Sequence, residues 1–145
     1  MYATSENTAV DTLYTGGNAV WFYEPTSFGP NIQHRNFQNP GSPPGTMFDI
    51  LVTGLYLISF NLNIRDLPGS GQMMGAYVEY VDPAGGVYGK FRNQITCGAL
   101  PCQLVGTSVV RAEAGSTLCI RVLYPCVLYG NSMTTCISIL QLTSE

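Results

Sequence analysis

An all-β sandwich of the jelly-roll kind, with about ten short strands, is the fold class this sequence predicts. Three observations predict it. Over residues 54–64, Tyr56, Ile58, Phe60, Leu62 and Ile64 share one parity, the period-two alternation of a strand with one face fixed in a core. Clusters of Gly, Pro, Asn and Asp recur at nearly regular intervals along the chain. No stretch of ten or more residues has a helical period of 3.6.

The elements follow in order. Strands are predicted near 18–23 (NAVWFY), 31–37, 46–52, 54–64, 73–81, 86–92, 103–111, 116–124 and 133–142. The segments EPTSFGPN, NPGSPPG, Thr53-Gly54, DLPGSGQ, DPAGG, CGALP, EAG and PCVLYGNS separate them. In the turn 82–86 (DPAGG), Pro83 presets φ and the glycines supply positive φ. No repeat, charge block or linker divides residues 1–145, so they read as one domain.

Composition narrows the function classes. The 145 residues are 46% hydrophobic and only 10% charged, against about 25% charged in an average soluble protein. Such a chain has little charge to spread over a free surface, which predicts burial in an oligomer or a dense assembly. A net charge of −3 and scattered Lys and Arg do not favour nucleic acid. No apolar run reaches the ~20 residues of a helical membrane span. The N-terminal MYATSENTAV shows no signal-peptide pattern. A removed signal, unconventional export and a C-terminal piece of a longer chain stay open. The five cysteines (97, 102, 119, 126 and 136) are odd in number and lie in the last third. Cys97 and Cys102 flank a turn and suit a local disulfide in an oxidising compartment. The alternative is that most of the cysteines are small buried apolar residues.

Residues 48–60 (FDILVTGLYLISF) carry a further signal. Phe48, Gly54, Tyr56 and Phe60 match the pattern of Phe, five residues, Gly, any residue and Tyr, followed by alternating apolar positions, and so resemble the C1q/TNF-like superfamily. Ile58 stands where C1q-type members usually have an aromatic residue, and Gly41 departs from the upstream part of the signature. Segments 113–124 (EAGSTLCIRVLY) and 136–142 (CISILQL) are similar to the family's penultimate and final strands. The likeness covers roughly residues 46–142 and names no subfamily.

Two strands are apolar on both faces. In 136–142, Ile137 and Ile139 oppose Cys136, Ser138, Leu140 and Leu142; in 103–111, Leu104 and Val110 oppose Val105 and Val109. A sheet covered on both faces in a two-layer sandwich needs a third layer. The resemblance implies that two further subunits supply it around a threefold axis. It places Leu55, Leu57, Ser59, Val105, Thr107, Val109, Cys136, Ser138, Leu140 and Leu142 toward that axis. Tyr56, Ile58, Phe60, Leu62, Ile137 and Ile139 then form each subunit's own core. Permanent interfaces bury ~2,000 Å² or more. Half of that as apolar area gives roughly 25 kcal/mol of gross driving force at ~25 cal/mol per Å², against association costs of about 4–15 kcal/mol. A monomeric sandwich whose two-faced strands are covered by loops is the alternative.

Candidates for chemistry are sparse. His34 is the sole histidine, in a polar segment with no Gly-x-Ser-x-Gly elbow, and reads as a surface residue. The spacings Cys97-x4-Cys102 and Cys119-x6-Cys126 exceed those common in structural zinc sites. Asp49, Asp66, Glu79, Asp82 and Glu113 are dispersed, without the facing pair of a glycosidase. No cofactor is expected. Calcium on the loop residues Asp66 and Asp82 is an alternative that C1q-like heads suggest, but no acidic loop cluster accompanies them. The aromatic segment 21–25 (WFYEP) is either a sugar or protein contact surface or an early strand with its ring parity in the core. Met73-Met74 reads as strand packing.

The resemblance therefore implies a non-enzymatic, homotrimeric head domain. It would sit extracellularly or on a spore, cell or virion surface, on a collagen-like or coiled stalk, and present loops for adhesion to a surface protein or glycan. A viral or phage jelly-roll subunit, in a capsid or fibre tip, and a secreted TNF/C1q-like ligand are the alternatives.

Overall fold

The computed structural model describes residues 2–6, 12–22, 26–68, 71–129 and 135–145. Twelve strands form among them: β1 (Tyr2–Glu6), β2 (Thr12–Tyr14), β3 (Thr26–Phe28), β4 (Ile32–Phe37), β5 (Gly45–Ile50), β6 (Gly54–Asp66), β7 (Met73–Val81), β8 (Val87–Thr96), β9 (Cys102–Ala112), β10 (Thr117–Val122), β11 (Cys126–Leu128) and β12 (Cys136–Ser144). They build two antiparallel sheets, the jelly-roll sandwich predicted above. The seven-stranded sheet runs β2-β11-β6-β12-β1-β3, with β9 also on β6. The five-stranded sheet runs β4-β5-β10-β7-β8.

β6 organises the first sheet. Its residues 54–64 pair with β9 along one edge, while β12 and then β11 share the other. Its burial alternates without a break from Gly54 to Ile64. Tyr56, Ile58, Phe60, Leu62 and Ile64 point into the core, where they meet Ile137, Ile139, Leu104 and Val110 from the same sheet and Phe48, Ile50, Val78, Ile120 and Val122 from the other. Burying each such side chain stabilises by about 1.5–3 kcal/mol. Tyr56 is buried with its hydroxyl donating to the Val52 carbonyl, so its polar end is satisfied.

Two close approaches require glycine. A Cβ at Gly106 would meet the Phe60 ring at 2.3 Å, and a Cβ at Gly54 would meet the Thr143 carbonyl oxygen at 2.0 Å. Gly54 thus allows β12 to close over the corner where β6 begins.

The structure differs from the sequence reading in several places. Residues 18–22 form no strand; Ala19 makes only an isolated bridge to Arg121. Their backbone is satisfied by single bonds instead, Val20 N to Ile120 O at 2.8 Å and Val122 N to Asn18 O at 3.0 Å. β8 continues to Thr96 because a bulge between Tyr77 and Val78 resets its register. Phe91 takes φ 48° there. Tyr23, in the predicted strand 18–23, lies outside the described residues.

Candidate interaction surface

The face of β6, β9 and β12 that turns away from the core is laid out in rows. Val109, Leu57 and Leu140 stand side by side across the three strands. Thr107, Ser59 and Ser138 form the next row, and Val105, Asn61 and Cys136 the one after. Ser59 and Thr107 hydroxyls lie 3.4 Å apart. Leu142 is the extra residue of a bulge in β12 opposite β6.

Exposure follows parity. Val105 and Val109 are each 56% exposed, Leu142 48% and Leu140 37%, whereas Leu104 and Ile139 are at 0%. Leu55, Leu57, Ser59, Cys136 and Ser138 are half-buried, and Thr107 is exposed. All ten residues singled out for the threefold axis thus show outward exposure on this sheet. Leu13 and Val127, which pair across β2 and β11, also turn away from the core. Sequence reasoning missed them, and the alternation Thr12-Leu13-Tyr14, with Tyr14 buried, was the available signal.

Charge is confined to the ends of this face, with exposed Arg65 at the far end of β6 and Arg111 at the near one. Arg111 pairs with Leu55 in the ladder and holds Glu145 at 2.9 Å and Glu113 at 3.4 Å. Those two carboxylates raise the Arg111 guanidinium above its ordinary value. At the other end, Asn61 Oδ1 is buried and has no hydrogen-bond partner among the described residues, a cost that a donor from outside the chain would remove.

The architecture is that of known solved structures. Eiger TNF from S. frugiperda superimposes with a TM-score of 0.76 at 13% identity, covering 100% of this chain and 94% of that one. Murine APRIL gives 0.73 at 14%, covering 98% and 100%. The globular domain of zebrafish complement 1qA gives 0.63 at 14%, covering 99% and 98%. This is the C1q/TNF-like fold. The sequence matches no family model and no curated protein.

Within this fold several titratable groups are tied up in local contacts. Cys97 and Cys102 form a disulfide that closes the β8–β9 loop. Cys119 and Cys126 remain buried thiols. Burial is the main force pushing each up to about 12, and Arg121 partly offsets it at Cys119. Cys119 Sγ sits 3.8 Å from Glu79 Oε1. Arg121 Nε contacts Glu79 Oε2 at 2.8 Å outside hydrogen-bond alignment, while its Nη1 donates to Gly17 O at 2.8 Å.

The four cysteines weighed for zinc are thus split between a disulfide and two separate buried positions. Asp49 is held by Arg35 at 3.1 Å. Asp82 accepts from Ala84 N and Gly86 N, closing its own turn, and Asp66 accepts from Leu67 N. No group of three or more His, Cys, Asp or Glu is placed to hold a metal among the described residues. His34 is exposed on the edge strand β4, opposite Phe48. Met74 is buried, and Met73 is 36% exposed. No helix among the described residues is long and apolar enough to cross a membrane.

Proposed function

We propose that this domain is a non-catalytic head that assembles with two further copies of itself through the outward face of β6, β9 and β12. The uncharged row Val109, Leu57 and Leu140 carries this reading, because contiguous exposed apolar surface marks a contact site. A second sheet face covered by a neighbour explains why a chain with 10% charged residues needs no more. The resemblance of residues 46–142 to the C1q/TNF-like superfamily supports three copies over two.

The assembled domain works outside the cell and presents its loops to a partner. The Cys97–Cys102 disulfide supports an oxidising compartment, and recognition on such scaffolds is carried by loops. Within that reading, a packed surface layer such as a spore coat fits the sparse charge better than a freely circulating ligand. Antibody labelling of intact particles from the source tests this; surface label is expected, and a wholly soluble pool contradicts it.

The assembly itself is tested by Leu57→Asp and Leu140→Asp. Each would bury an unpaired carboxylate at the interface, so each variant should run as single folded chains at micromolar concentration. Wild-type mass in both variants contradicts the assignment of this face.

A further inference from the structure

We propose that the cavity beside the β4–β5 hairpin binds a neutral saccharide. The cavity is about 380 Å³ and is lined by Trp21, Asn36, Phe37, Gln38 and Pro44. That volume lies within the ~300–1,000 Å³ of small-molecule sites.

The fold fixes each of its parts. Phe22 is fully buried, 6.4 Å between ring centroids from Phe48, so the neighbouring Trp21 is left at the surface, half-buried. Trp21 N donates to the Tyr14 hydroxyl at 3.0 Å, and Phe22 N donates to Thr46 Oγ1 at 2.9 Å. The aromatic segment is thereby held in place without belonging to a strand. Thr46 Oγ1 also donates to Asn36 Oδ1 at 2.8 Å, which fixes that amide and leaves its NH2 group to donate. Gln38 Nε2 donates to Ser42 O at 3.2 Å, which leaves Gln38 Oε1 to accept.

Among the described residues, the lining therefore offers two aromatic side chains, a fixed donor, a fixed acceptor and no charge. A pyranose has the matching chemistry. Its C–H faces carry slight positive charge and pack on the negative faces of aromatic rings. Its hydroxyls each donate and accept, as the two amides require. A wholly apolar occupant would desolvate both amides without pairing them, and an ionic one would find no counter-charge among the described residues.

All five residues come from the 18–22 segment, β4 and the loop after it. The described lining comes from a single chain and stands apart from the proposed assembly face, so either reading can fail without the other.

Trp21 is the only tryptophan of the chain, so indole fluorescence reports on this cavity. The whole chain should be titrated with glucose, galactose, mannose and N-acetylglucosamine. At least one sugar should give a saturable change with a dissociation constant of about 1 mM. Gln38→Ala should weaken that binding about tenfold or more. Gln38 is exposed, so its loss leaves the fold intact, and circular dichroism verifies this. Phe37→Ala should weaken it likewise, and Leu57→Asp should not. Absence of a saturable change with all four sugars overturns the proposal. So does undiminished binding in Gln38→Ala, or a response only to an apolar dye, which would mark a protein contact instead.

Discussion

The two outward faces of this sandwich obey the same alternation yet carry opposite chemistry. On the five-stranded sheet, the face away from the core holds Arg35, Asp49, Glu79, Arg121 and Arg92, with Arg35 paired to Asp49 and Arg121 to Glu79. On the seven-stranded sheet, the corresponding face of β6, β9 and β12 holds Val, Leu, Ser and Thr from the row of Leu57 to that of Ser59, with Arg111 at the end. Ion pairs equip the first face for water. The second is uncharged over its middle rows, and water gains nothing there that a protein surface would not supply better. Period two decides which residues point outward; the residue types at those positions decide what meets them.

The largest effect that sharpens this comparison comes from adjacent residues of β12. Ile139→Ala removes a fully buried side chain and should cost about 2–5 kcal/mol of folding stability. Leu140→Ala, one position along, should leave single-chain stability nearly unchanged and weaken association. Denaturant titration at high dilution, where assembly is lost, separates the two effects. Equal losses for both would erase the distinction between the faces. Gly106→Ala should follow, at about 1–3 kcal/mol, because the added methyl group meets the Phe60 ring; an unchanged denaturation midpoint would contradict that packing.

A smaller loss is expected on the charged face. Glu79→Gln leaves Arg121, whose side chain is 22% exposed, without its ion partner, which should cost about 0.5–1.5 kcal/mol. The assembled mass should not change. A drop in mass would show that the five-stranded sheet, too, joins the interface.

The thiols give two further contrasts. Burial holds Cys119 and Cys126 at about 12, against an ordinary 9.0. They therefore stay protonated in the folded chain at pH values where the unfolded chain ionises. Their stabilising effect is fully present below a pH of about 9 and is lost as pH rises toward about 12. Urea midpoints should accordingly be lower at about pH 10 than at about pH 8, and a rise would reverse the sign. Cys136, half-buried on the assembly face, should react slowly with a thiol reagent in the wild type and faster in Leu57→Asp. Equal rates would place it outside the contact.

How much of this was legible in the sequence depended on segment length and periodicity. β6 was plain because five core side chains alternate without a break. β1, β2, β3 and β11 span only three to five residues each, too few for a period to emerge. The 18–22 segment misled because its apolar residues resemble a strand, while its backbone bonds go singly to Val122, Ile120 and Thr46. The outward face was legible as a parity pattern in β9 and β12, although the ladder that aligns Val109, Leu57 and Leu140 was not. At Trp21 the sequence offered an aromatic run that suited either a contact or a core strand, and the cavity beside it could not be read. It arises where Thr46 ties the aromatic segment to a hairpin about two dozen positions later in the chain, and local sequence has no access to such a contact.

Noncovalent self-association through an apolar sheet face sets the mass of the molecule in solution. Light scattering at micromolar concentration, with and without reductant, tests it most directly. Three chains in both conditions are predicted. A single chain in both, or assembly that disappears on reduction, would contradict it.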